Sequence, residues 1–185
     1  MDRAIILGDS PFLKEVENVL HYVLDKNYVL GINHVITKCR ADMHVFTDIN
    51  LISLTNKYYD LNTLTLYLYG DMVRKREKTL INTFTYKNDY CWKDDDKLAW
   101  CGFTHDYAIS YLISQECKEI VLLGAADFID GAHYTHEWPF KRSSNLQEQS
   151  IQFIEDCNNM YVDIKTCNPN SKINIPYIPI EELLK

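Results

Sequence analysis

Short apolar runs alternate with amphipathic stretches along the chain. Residues 3–7 form a compact run rich in branched side chains and closed by Gly8, the pattern of a buried strand. Ser10 followed by Pro11 reads as an N-cap with proline in the first helical turn, and Leu13, Val16, Val19, Leu20 and Val23 recur at helical spacing. One helix is therefore predicted over 11–25. Residues 28–32 predict a second strand ending at Asn33-His34, and 43–47 a third ending at Asp48-Ile-Asn50. A helix over 51–59, an alternating strand over 64–69 and strand chemistry over 80–86 follow, and 87–97 reads as an exposed loop.

The second half restarts the same architecture. Thr104 predicts the cap of a helix reaching 115, and 118–123 a strand with Gly124 at its end, followed by Ala125-Ala126-Asp127-Phe128. Residues 129–142, irregular and supplied with aromatics and histidines, suit a flap. Ser144 and Gln147 fit a capping box opening a helix to 157, with a strand over 160–165, a turn over 167–171 and a short docking helix started by Pro179. Strands alternating with helices predict an α/β fold, a single Rossmann-like domain over 1–185 with a mostly parallel sheet flanked by helices.

In such a sheet ligands sit beyond the carboxyl ends of the strands, where Asp9, Asn33, Asp48 and Asn50 would converge. Gly8 and Ala125 permit close backbone approach there, and the free N–H groups and positive dipole end of the helix that starts at Ser10 would offer a seat for a phosphate. The same residue types serve as turn residues and caps, and neither a full G-x-G-x-x-G nor a P-loop lysine is present. His133 and His136, three apart and near Asp127 and Asp130, also permit a divalent-metal reading, but no metal site is assigned. No G-x-S-x-G frames a nucleophile.

Composition narrows the partners. The 185 residues suffice for one domain, and 19 basic against 26 acidic side chains give a net charge of −7, which argues against a general nucleic-acid or anionic-membrane binder. A basic patch at Arg74, Lys75, Arg76 and Lys78 is by default a solvated surface. The six cysteines lack C-x-x-C spacing and read as buried thiols. No signal-peptide pattern and no apolar run of membrane-spanning length occur, so a cytoplasmic chain without a transmembrane segment is expected, its oligomeric state left open and a homo-oligomer allowed.

Three blocks carry a resemblance: Ile5-Ile-Leu-Gly-Asp-Ser-Pro-Phe-Leu-Lys-Glu15, Lys118-Glu-Ile-Val-Leu-Leu-Gly-Ala-Ala-Asp-Phe128, and Gln152-Phe-Ile-Glu-Asp156 with Cys167-Asn-Pro-Asn-Ser171. Over residues 3–50 and 103–182 the chain resembles the bacterial lipooligosaccharide sialyltransferase family, whose fold extends to the archaeal hydroxymethylpterin pyrophosphokinase type; 51–102 does not match. The resemblance implies a CMP-sugar donor held by Gly8, Asp9, Ser10 and Pro11, with Asn33 near it and Asp48 or Asn50 lining base or ribose. Thr104 stands where the family has serine, His105 replaces the glycine beside it and would crowd the donor, and Tyr134 keeps one of two flap tyrosines while Ile129 takes the other place.

Arg142 aligns with the family's general-base histidine. Arginine stays protonated and cannot accept the acceptor's proton, so that role passes to His133 or His136, oriented by Asp127 or Glu137, while Arg142 can clamp a phosphate or carboxylate. The expectation is a glycosyltransferase that binds a CMP-sugar or related nucleotide and passes the sugar to a hydroxyl of a glycan or small-molecule acceptor, with no required cofactor. Two alternatives stay open: a non-catalytic nucleotide-binding or sequestering protein of the same fold, and a metal-dependent pterin or nucleotide pyrophosphokinase.

Overall fold

The computed structural model describes residues 1–46, 51, 64–68, 82–87, 97–99, 103–128 and 144–185. Within them the chain runs through β1 (Arg3–Leu7), α1 (Glu17–Lys26), β2 (Val29–Ile32), β3 (Met43–Phe46), β4 (Leu64–Leu68), β5 (Asn82–Lys87), β6 (Lys97–Ala99), α2 (Thr104–Ser114), β7 (Glu119–Leu123), α3 (Ser144–Met160) and β8 (Asp163–Thr166). The strands lie in the order β6-β5-β4-β3-β2-β1-β7-β8, and every described pairing is parallel. This is the α/β, Rossmann-like arrangement that the alternation of strand and helix patterns predicts.

Parallel strands covered on both faces must be apolar on both, and the central ones are. Ala4 and Ile6 of β1, Ile120 and Leu122 of β7, and Met43 and Val45 of β3 face one core, closed by Tyr107, Ile109 and Leu112 of α2 and Phe153, Ile154 and Cys157 of α3. Ile5 and Leu7, with Val121 and Leu123, face the other, closed by Leu20, Val23 and Leu24 of α1 and by Ile180 and Leu183 near the C-terminus. Each such aliphatic side chain contributes roughly 1.5–3 kcal/mol on full burial. The C-terminal 3-10 turn, Ile180–Leu184, docks on α1, where Asn27 Nδ2 donates to the carbonyls of Val23 (2.8 Å) and Leu183 (2.9 Å).

Several boundaries depart from expectation. The single helix predicted over 11–25 is a 3-10 turn, Pro11–Lys14, followed by α1 starting afresh after Val16, because the turn seats Leu13 against Gly124 before the helix begins. Helix α3 runs on to Met160 rather than stopping at 157, its end closed by the N–H groups of Tyr161 (2.9 Å) and Val162 (3.2 Å) on the Cys157 carbonyl, so β8 starts at Asp163. Strand β6 lies where a loop was predicted to end. The predicted helix over 51–59 and the flap fall outside the described residues, apart from Leu51. No described helix is long and apolar enough to cross a membrane.

Candidate functional site

The chain leaves β1 toward β2 on one side and returns to β7 on the other, so the carboxyl ends of β1 and β7 form the topological switch point of the sheet. There the two turns are bound to each other. Gly8 N–H donates to the Leu123 carbonyl (3.0 Å) and Ser10 N–H to the Gly124 carbonyl (3.0 Å). A Cβ on Gly8 would collide with the Gly124 carbonyl and lie 2.6 Å from Ala125 Cα. The close approach that Gly8 permits is thus taken by the protein's own 124–125 backbone rather than left for a ligand.

Ser10 does act as a cap, its Oγ accepting from Phe12 N–H at 3.2 Å, while Leu13 N–H donates to the Ser10 carbonyl at 3.1 Å. Pro11 has no N–H. The turn read as a phosphate seat is therefore four residues long, with the N–H groups of Ser10, Phe12 and Leu13 already engaged. Asp9, in the turn after β1, is half-buried, and its charge adds to the burial that pushes the Cys39 thiol up to about 11.

The next strand end is more open. Asn33 follows β2 in a left-handed conformation, φ 53, with its side chain half-buried. Its Oδ1 accepts the Thr104 hydroxyl at 3.1 Å, and its backbone carbonyl accepts from Nε2 of His44, on β3, at 2.9 Å. His44 is fully buried, and that burial lowers its pKa to about 4, so near neutral pH the ring carries a single proton, which the carbonyl fixes on Nε2. Thr104 was predicted to cap its helix. Instead Asp106 Oδ2 takes the Phe103 N–H (3.1 Å), which frees the Thr104 hydroxyl to reach across to Asn33.

His105, expected to crowd the donor, turns away from the rim. Its imidazole is buried, stacks on Phe103 (5.2 Å, 7°) and meets Phe128 edge-on (5.6 Å). Nε2 lies 2.9 Å from the hydroxyl of Ser150 on α3, and that hydroxyl donates to Asp106 Oδ1 at 2.6 Å. With its proton committed to the carboxylate, Ser150 accepts from the histidine and is no activated nucleophile; the trio ties α2 to α3.

On the other flank, Gly124, Ala126 and Phe128 all have positive φ (62, 56 and 51), so the 124–128 turn is a strained segment in which Ala125 and Asp127 are buried. Burial, reinforced by the Asp127 charge, pushes the Cys167 thiol up to about 12. Beside β7, at the end of β8, Asn168 Oδ1 accepts from Asn170 N–H (2.9 Å), while its buried Nδ2 has no hydrogen-bond partner among the described residues. Gln147, predicted to close a capping box with Ser144, points its amide at the Phe128 carbonyl, 3.4 Å away.

The structure thus brings Gly8, Asp9, Ser10, Pro11, Asn33, Thr104, Ala125 and Asp127 to the carboxyl-end rim. Asp48, Asn50, His133, Tyr134, His136 and Arg142 lie outside the described residues. Sequence reasoning passed over His44, Asp106 and Ser150. The usable signals were a histidine inside an apolar strand, an aspartate three residues into a helix, and a serine on the apolar stripe of α3. No group of three or more metal-ligating side chains occurs among the described residues. Comparison with family models, with curated proteins and with solved structures gives no match, which leaves fold and rim chemistry to bear on function.

Proposed function

We propose that the chain binds a nucleotide or nucleotide sugar along the carboxyl ends of β1, β2 and β7 and acts as a glycosyltransferase of the sialyltransferase-like kind. The observation that carries this reading is the meeting of Asn33 and Thr104. The family resemblance gives these two positions to the donor, they lie 71 residues apart in sequence, and their side chains join at 3.1 Å on the rim. The donor's anomeric carbon would lose its bond to the phosphate oxygen as the acceptor hydroxyl attacks, the nucleotide leaving with the electron pair. The acceptor's proton would pass to His133 or His136. No metal is needed in this scheme, and the acceptor is a glycan or a small molecule bearing a hydroxyl.

Calorimetry with CMP, UMP, GMP and AMP, with and without magnesium, tests the reading. Selective, metal-independent CMP binding, weakened by Thr104→Val, is expected. Binding of none of the four would overturn it. Arg142 at the family's base position favours a second reading, a nucleotide-binding protein without transfer. CMP binding with no turnover of a CMP-sugar, and no change in that outcome across an acceptor screen, would favour it over the transferase.

A further inference from the structure

Asn33 is constrained from three directions. Its backbone occupies φ 53, a region that an L residue other than glycine enters only at a cost, though asparagine tolerates it best. The carbonyl is held by His44 Nε2–H at 2.9 Å, and Oδ1 by the Thr104 hydroxyl at 3.1 Å. With Oδ1 accepting the Thr104 hydroxyl, the NH2 group points the other way. Asn33 Nδ2 donates to no other described residue, and the side chain remains half exposed. His44 itself is fully buried, its ring 4.6 Å from that of Phe46, so it cannot touch a ligand. An apolar residue would suit this position on a covered parallel sheet better, and the bond to the Asn33 carbonyl is one that such a residue could not make.

We propose that His44 and Thr104 are positioning residues that hold Asn33 with both amide N–H donors facing the rim, so that the ligand group recognised there is a hydrogen-bond acceptor, such as a carbonyl oxygen or ring nitrogen of a base. This rests on the nucleotide reading above and deepens it: Asn33 becomes a specificity-determining donor, and the backbone at the end of β2 is set by a side chain from β3.

The test uses CMP as probe on the full chain. His44→Leu deletes the N–H that holds the Asn33 carbonyl, and His44→Gln keeps an N–H donor in reach. Asn33→Asp preserves size, tolerance of positive φ and an oxygen for Thr104, yet replaces the donors by an acceptor. Both His44→Leu and Asn33→Asp are expected to weaken CMP binding about tenfold or more, and His44→Gln to recover most of the loss. Wild-type affinity in either of the first two, or a His44→Gln protein as weak as His44→Leu, overturns the assignment while leaving the nucleotide reading in place. Backbone chemical shifts of Asn33 supply a readout that needs no ligand: they should leave the left-handed range in His44→Leu and stay there in His44→Gln. If the wild type binds none of the four nucleotides, the nucleotide reading fails, and unchanged Asn33 shifts in His44→Leu would overturn the positioning role as well.

Discussion

At the scale of single residues, the switch point is closed by absent side chains. Gly8 and Gly124 lie back to back, and each has its Cβ space filled, Gly8 by the 124–125 backbone and Gly124 by the Leu13 side chain. Backbone cannot yield as a flexible side chain can, so Gly8→Ala must push the β1 and β7 turns apart. It is expected to cost about 2–4 kcal/mol, read as a lower urea midpoint at unchanged slope. A smaller loss would mean that the 124–128 turn moves easily. The glycine was legible in the sequence as a point of close approach, but its partner was not. Residues 8 and 124 become neighbours only because β1 pairs with β7, a fact of topology that no local pattern carries.

At the scale of elements, strands were the most legible, because a buried parallel strand is a run of branched apolar residues whatever its neighbours are. Helix ends were less so. Thr104 looked like a cap because threonine is good at capping, yet the helix-opening N–H at Phe103 went to Asp106, and the threonine went to another element. Helix α2 is tied to α3 by the buried trio His105, Ser150 and Asp106, a polar seam in an otherwise apolar contact. Ser150→Ala takes away the hydroxyl that both other groups use. A loss of about 1–3 kcal/mol by thermal or urea unfolding is expected, and Ser150→Thr should recover part of it. No change in stability would show that the seam is satisfied without the serine.

At the scale of the whole molecule, acid should loosen the sheet at two of its strands, β3 and β7. His44, with its pKa lowered to about 4 from an ordinary 6.5, stays neutral in the fold while the unfolded chain takes up a proton, so its contribution is complete above pH 6.5 and fades as pH falls toward 4. The full effect is about 3 kcal/mol. Glu119, on β7, adds to this at lower pH. Burial works to raise its carboxyl, but hydrogen bonds from Lys165 and Arg3 outweigh it and leave the value below the ordinary 4.5, so its stabilisation is lost as pH drops through that range. Urea unfolding between pH 7.5 and 4.5 should therefore show stability falling with acidification, and His44→Gln should flatten that slope. A wild-type protein equally stable across the range would contradict the buried neutral histidine.

The strand order has a temporal meaning too. On the ribosome β1 is made long before β7, yet β7 is one of its two sheet neighbours. Until Glu119–Leu123 have left the exit tunnel, one flank of β1 is an unpaired parallel edge, and Gly8 and Ser10 have no carbonyls from β7 to meet. The nascent chain must carry this buried strand half-paired through more than a hundred residues of synthesis. The rim is consequently among the last features to be assembled, and a β1 edge left open during translation is the exposure this topology builds in.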